Sequence, residues 1–444
     1  MTPWGSRAAP ARPRPAYAWY IVAVLLVAYV FSFLDRQILS LLVEPMKRDL
    51  ALDDTQVSLL QGLAFAVCNG IGGLPLGRLV DTRRRLSIVS AGVAFWSVMT
   101  ALCGLAGRFW TLFLFRMGVG IGEASLTPAA YSLISDAIEA RRIGLALGVF
   151  TLGVHIGSGL ALLLGASLVS ELLNTRLHLP FLTSERPWQS VFWMIGLPGL
   201  LIAAWVLTLR EPARQGLEST AQSAPPLGVT LHYLRSNSRA IGAVYLCMAF
   251  AAMASYSANA WFVSMLIRTF GWNIAAAGRA YGLVAIGSGA LGVVAGGALG
   301  DLVSARGYLA GRLCVMAVAA AAAVPFALVA PLADTPGEVL SRLAPMIFLQ
   351  TMVIGLGPST LQELVPNQMR GVATSLGVLV VNLIGLGLGP TLVALVTDYV
   401  LRDEQQLRYS LAALLPAMLV VSAGIGFGGL GCYSMTRASR PMTQ

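Results

Sequence analysis

The sequence predicts an all-α membrane protein, with twelve transmembrane helices arranged as two pseudo-symmetric six-helix bundles. Three observations predict it. The 444 residues are 57% hydrophobic and only 11% charged, against roughly a quarter charged in ordinary soluble domains, which leaves little room for a water-soluble enzyme. Apolar runs of about 20 residues, the length a helix needs to cross the hydrocarbon core, recur along the chain. Finally, Gly77-Arg78-Leu79-Val80-Asp81 is matched 220 residues later by Gly297-Ala298-Leu299-Gly300-Asp301, which marks two similar halves.

The first sixteen residues carry Arg7, Arg12, Arg14 and four prolines and read as a disordered tail. The apolar run that follows is too long for a signal-peptide core and lacks a small-residue cleavage site, so it reads as a retained first span. Charged or Pro/Gly-rich interruptions then place spans beginning near residues 18, 57, 87, 109, 142, 188, 240, 276, 309, 343, 371 and 408. The longest polar connection, 210–239 with Pro212, Pro225 and Pro226, separates an N-terminal bundle (17–209) from a C-terminal one (240–435), and 436–444 form a short tail. An even number of spans puts both termini on one side. Eighteen of the thirty Lys and Arg residues fall on that side and ten on the other, so the positive-inside rule places both termini in the cytoplasm. One lysine among thirty basic residues and heavy alanine usage point to a GC-rich bacterium, and hence to its inner membrane.

Charge and cysteine content remove other classes. The net charge of +10 is spread between apolar runs rather than gathered beside exposed aromatics, so a nucleic-acid partner is not expected. The five cysteines show neither a C-x-x-C pair nor a metal-ligand spacing, and neither metal nor cofactor is expected. Catalysis would need a nucleophile and base or a phosphate loop. The chain offers three scattered histidines and no Gly-x-x-x-x-Gly-Lys-Ser/Thr, and it is read as no enzyme. His155, alone on an apolar helix, reads as a packing residue.

Ionisable groups within a span cost about 2.5–3.5 kcal/mol each on insertion scales, so Asp35 and Arg36 in the first span and Arg116 and Glu123 in the fourth call for a purpose. At about 1.5 Å of rise per residue all four can meet near one level. Residues seven or eleven apart share a helix face, which puts Arg116, Glu123 and Thr127 on one stripe. The four charges suit proton exchange, because burial and a nearby arginine act on a carboxylate in opposite directions and alternating conformations would change both. Arg36 would serve Glu123 as counter-ion or take a substrate phosphate, and a purely structural charge network is the bland alternative. Phe31, Tyr131, Tyr256, Asn259 and Trp261 join Thr127 as candidate cavity residues, with Tyr256 and Asn259 on one face. Gln350, Ser359 and Gln362 in the tenth span could bind a head group or one another.

The segment Gly77 to Arg85 resembles the loop motif between helices 2 and 3 of the major facilitator superfamily, with Arg84 in place of the usual second glycine. Arg116-Met117-Gly118-Val119-Gly120-Ile121-Gly122 resembles the superfamily's fourth-helix pattern. A narrower resemblance, to the Spinster branch, rests on Phe33-Leu34-Asp35-Arg36 and Gly120-Ile121-Gly122-Glu123-Ala124. The resemblance implies a monomeric secondary transporter working by alternating access and coupled to protons, with helices 1 and 4 both bordering the central cavity, so that Asp35 is expected near Arg116 and Arg36 near Glu123. Its implied cargo is an amphiphilic lipid such as a lysophospholipid or a sphingosine-1-phosphate-like molecule; efflux of small drug-like compounds or organic anions is the alternative. It also implies a gate in which Gly77, Asp81 and Arg85, with counterparts Gly297 and Asp301, close the cytoplasmic side. Glycines at 148, 153, 157 and 159, and at 385, 387 and 389, would let helices approach closely.

Overall fold

A computed structural model describes residues 13–139, 142–174, 186–214, 227–366 and 369–438. The side chains of Asp81 and His155 lie outside the described set, as do most of the terminal tails and the residues 215–226 of the expected linker. Among the described residues ten helices are long and apolar enough to cross a membrane. In chain order the membrane helices are α1 (Pro15–Leu41), α2 (54–82), α3 (Arg85–Cys103), α4 (109–137), α5 (143–174), α6 (Pro187–Leu207), α7 (Ser238–Phe270), α8 (Ile274–Ala305), α9 (Gly311–Val329), α10 (Pro336–Leu364), α11 (Arg370–Leu401) and α12 (Leu407–Ala438). The α2 and α4 runs, each interrupted, are not among those ten. Within the expected linker the segment Leu227–Ser236 is helical.

Local chemistry sets the helix ends. Proline opens α1, α6 and α10, where a missing N–H costs nothing. Asp53 starts α2 in a reciprocal capping box with Gln56, and Asn273 caps α8 through the amide of Ala276 at 2.7 Å. Gly271 ends α7 at φ +68°, a left-handed conformation that suits glycine. Helix α10 begins at Pro336, seven residues before the span expected from 343. Its first turns carry the Glu338–Arg342 ion pair at 2.8 Å, charged residues that hydropathy assigns to a loop.

The two halves repeat one packing scheme. In the first, α1 packs on α5, α2 on α4 and α3 on α6; in the second, α7 packs on α11, α8 on α10 and α9 on α12. Glycines make the closest of these approaches: Gly157 of α5 lies against the Val30 carbonyl of α1, where a Cβ would not fit, and Gly389 of α11 lies against the Met253 carbonyl of α7.

The core shows how the halves meet. At the end opposite the termini, buried side chains from both form one cluster, with Leu41, Val57 and Leu162 among the first half's contributors and Met253, Trp261, Ala277 and Val393 among the second's. Toward the end that carries the termini each half has a core of its own, with Leu386 of α11 the one buried side chain of the second half that joins the first half's. Outward-facing apolar side chains such as Trp110, Leu201, Val294 and Val400 are 70–74% exposed, as expected where the surrounding solvent is lipid.

Candidate functional site

A cavity of about 740 Å³ lies between the halves, within the range of small-molecule pockets. One pole is polar, with Arg36, Gln37 and Ser40 of α1, Gln61 of α2, Asn259 of α7, Tyr281 of α8 and Gln350 of α10. Its remaining walls are mostly apolar or small, including Leu145, Gly148 and Leu152 of α5 and Ile286, Gly289 and Val293 of α8. Beyond this pole the halves close. Gly62 of α2 abuts the Leu386 carbonyl of α11, and Gly282 of α8 abuts Leu162 of α5, each too tightly for a Cβ. Toward the terminal end Gly148 of α5 and Gly287 of α8 face open space and Leu145 is 63% exposed, whereas α2 and α11 stay joined at least as far as the hydrogen bond from Asn382 to Asn69, at 3.4 Å.

Behind the polar pole sit the four charges of α1 and α4. Arg36 donates to Glu123 Oε2 from Nε at 2.7 Å and from Nη2 at 2.5 Å, and Ser32, one turn earlier, donates to the same oxygen at 2.5 Å. Phe65 and Phe33 flank the guanidinium, 4.1 and 4.6 Å from its carbon. Asp35 lies 3.5 Å from Arg116 Nη1 and accepts from Thr100 of α3 at 2.7 Å. Asp35, Arg116 and Glu123 are all at most 3% exposed, and only Arg36 of the four reaches the cavity wall. Glu123 is the last residue before α4 breaks at Ala124 and Ser125, where Ser125 Oγ donates back to Gly122 at 2.9 Å. Glu123 therefore sits at the end of a helical segment, held toward α1 through Arg36.

The candidate cavity residues divide. Tyr256 and Asn259 line the cavity; Asn259 accepts from Tyr281 at 2.8 Å, and its backbone carbonyl accepts from Gln37 at 3.2 Å. Trp261 needs correction, because it is fully buried in the shared core with its indole N–H on the Pro390 carbonyl at 3.0 Å. Phe31 packs on the first half's core and Tyr131 meets Phe150 edge-on, and neither lines the cavity. Thr127 does not line it either; the break after Glu123 interrupts the regular helix that put it on the stripe of Arg116 and Glu123.

At the terminal end Arg85 is fully buried. It bonds Asp136 at the end of α4, Glu211 beyond α6 at 3.0 Å, Ser132 at 2.8 Å and the Pro212 carbonyl at 2.8 Å. Its partners are thus other elements of its own half, not the far side of its loop. The second half has a related arrangement at the start of α9, where Arg312 bonds Asp301 at 2.7 Å and Glu363 at 2.8 Å, and Arg437 joins Glu363 at 3.1 Å. Gly77 and Gly297 face open space, where a Cβ would meet nothing. Arg85→Ala should lower stability by about 3 kcal/mol, since it removes the buried cation shared by two carboxylates and leaves a gap in its place; thermal unfolding of the purified variant measures it, and an unchanged midpoint would refute this account.

A second charge network, not anticipated from the sequence, closes the opposite end. Asp54, fully buried at the start of α2, accepts from both terminal nitrogens of Arg268 of α7, at 2.6 and 2.8 Å, and from Lys47 at 2.5 Å. Lys47 also pairs with Glu404 at 2.8 Å, Arg268 with Glu44 at 2.7 Å, and Thr55 donates to Asp398 of α11 at 2.7 Å. Every one of these groups has at least one partner across the two halves.

Two halves with one packing scheme, a cavity between them and buried charge at its wall are the anatomy of a transporter. The family model of the Major Facilitator Superfamily matches residues 25–390. The chain belongs to the major facilitator superfamily. This superfamily member is 28% identical over 421 residues to a protein called an MFS-type efflux pump in Mycolicibacterium smegmatis, a match covering 93% of the chain and 92% of the relative. Over 164 residues it is 32% identical to the sphingosine-1-phosphate transporter SPNS2 of Xenopus tropicalis, covering 35% of the chain and 32% of that protein. Its fold matches the crystal structure of a bacterial homolog to the human lysosomal transporter Spinster, in an inward-facing and unoccupied conformation, with a TM-score of 0.79, 25% identity, and coverage of 96% of this chain and 98% of that one. The chain is therefore a membrane transporter related to Spinster, and not an enzyme.

Proposed function

We propose that this transporter works by alternating access, coupled to protons, and moves an anionic amphiphile of the lysophospholipid or sphingosine-1-phosphate type. The observation that carries the reading is Arg36: a cation at the cavity wall, backed by a buried carboxylate at 2.5 Å and facing a cavity whose other walls are largely apolar. A head group placed on Arg36 competes with Glu123 for the guanidinium. A Glu123 that loses its counter-ion in a desolvated site is driven to take up a proton. Substrate and proton binding are then linked through one side chain. Asp35 and Arg116 form a second, deeper pair that holds α1, α3 and α4 at this level.

The opening between α5 and α8 supports an amphiphile, because a chain leaving the polar pole can run along Leu152 and Val293 toward lipid. With the termini in the cytoplasm this is an inward-open state. Gly77 and Gly297, unopposed here, together with Asp81, Arg85 and Asp301, belong to the gate that closes the terminal end in the other state. Sequence similarity to an efflux pump keeps small organic ions as the alternative cargo.

The deciding experiment is flux of labelled lysophospholipid and sphingosine-1-phosphate into proteoliposomes under an imposed pH gradient, for the wild type and Glu123→Gln. Gradient-driven flux is expected in the wild type and a loss of at least tenfold in the variant. Flux in the variant that still follows the gradient would move coupling away from Glu123. Flux of organic anions without lipid flux would establish the alternative.

A further inference from the structure

The polar groups at the cavity's closed pole differ in how well they are satisfied. Gln37 donates to Ser40 and to the Asn259 carbonyl, Tyr281 donates to Asn259, and Thr351 donates back to its own helix. Gln350 and Gln61 break the pattern. Gln350, 1% exposed, has no partner for its side-chain N–H₂, and both the oxygen and the nitrogen of the Gln61 amide are shielded and unpartnered. Both residues line the cavity. A buried polar atom without a partner is destabilising, and two glutamines on opposite halves facing one cavity bear that cost together.

The backbone around Gln61 departs from a regular α-helix. Residues Leu59–Leu63 form a π-helical turn, one of four such stretches among the described residues; turns of this kind are frequent at functional sites and shift the phase of the side chains that follow. Here it brings Gln61 to the cavity while Leu60, next to it, is buried in the shared core.

Building on the amphiphile reading, we infer that Gln350 and Gln61 bind the polar group adjoining the substrate's charge, so that the transporter selects anionic amphiphiles with a hydroxyl, amide or ester beside the anion. The chemistry assigns the parts. Arg36 takes the anion. The free N–H₂ of Gln350 can only donate, so it requires an acceptor oxygen. Gln61 offers a donor and an acceptor together, which a hydroxyl or secondary amide satisfies and a bare methylene chain does not. A site built to hydrogen-bond a hydroxyl discriminates against the analogue lacking it far more sharply than an apolar pocket does, because the analogue leaves the buried amides unpaired.

The test compares two probes of equal chain length, a 1-acyl-glycerol 3-phosphate and a simple alkyl phosphate, binding to the transporter in nanodiscs. The wild type is expected to favour the glycerol compound at least tenfold. Gln350→Leu and Gln61→Leu should each reduce that preference to within about threefold, whereas Arg36→Gln should weaken both probes alike. Gln350→Met and Gln61→Met, which keep side-chain length, replace any leucine variant that fails to elute as a folded protein. A wild type that binds both phosphates equally, or a preference that survives both glutamine substitutions, overturns the inference and leaves the Arg36 reading standing. Binding of neither phosphate, or indifference to Arg36→Gln, overturns both.

Discussion

Replacing Asp54 with alanine will open the end of the transporter opposite its termini. Asp54 is fully buried and accepts from Arg268 through two nitrogens and from Lys47 through one. Removing it leaves two shielded cations with only Glu44 and Glu404 to balance them, and breaking a buried pair by deleting one partner costs about 3–5 kcal/mol. The penalty falls on one conformation. Lys47 belongs to the first half and Arg268 to the second, so separating the halves at this end hydrates both stranded cations and relieves it. A difference of that size shifts a two-state equilibrium by about two to three and a half orders of magnitude, against the roughly 5.5 kcal/mol that moves an equilibrium from 1:99 to 99:1. Spin labels placed on the two halves at this end should report a longer distance in Asp54→Ala than in the wild type. Superimposable distance distributions would show that the network does not hold the end closed.

That network was invisible in the sequence for a reason that contrasts with the charges of α1 and α4. Asp35, Arg36, Arg116 and Glu123 stand in apolar runs, where an ionisable residue is costly enough to demand a partner, so they attract notice before any fold is known. Glu44, Lys47, Asp54, Arg268 and Glu404 stand at the polar ends of spans, where charge is the ordinary composition. The burial of Lys47, Asp54 and Arg268 appears only when the two halves meet. Periodicity fixes which residues of one helix share a face and says nothing about which loop of the other half will cover them.

The same distinction explains the successes and errors at the cavity. Tyr256 and Asn259, three apart on α7, share a face, and both line the cavity. Trp261 is two residues beyond Asn259, about 200° around the helix at 100° per residue, so helical geometry already pointed it away from Asn259. Helical spacing could have excluded it. Gln61 was out of reach, because the π-turn that presents it changes the helical phase that a regular period assumes.

The Arg36–Glu123 pair separates a structural role from a transport role through a double-mutant cycle. Arg36→Ala leaves Glu123 as a shielded, uncompensated carboxylate and should destabilise the fold by about 3 kcal/mol, the lower end for a buried pair, since a fifth of the Arg36 side chain is exposed. Adding Glu123→Gln removes the stranded charge, so the double variant should recover most of that loss in thermal unfolding. Transport should behave differently. A hydrogen bond to a charged group is worth about 1.5–3 kcal/mol, so losing the cation should weaken an anionic amphiphile by about ten- to a hundredfold in both Arg36→Ala and the double variant. A pair that merely held α1 against α4 would return flux along with stability in the double variant. A pair that carries substrate and proton would return stability alone, because the fold needs the two charges balanced whereas the transport cycle needs each of them present to be exchanged.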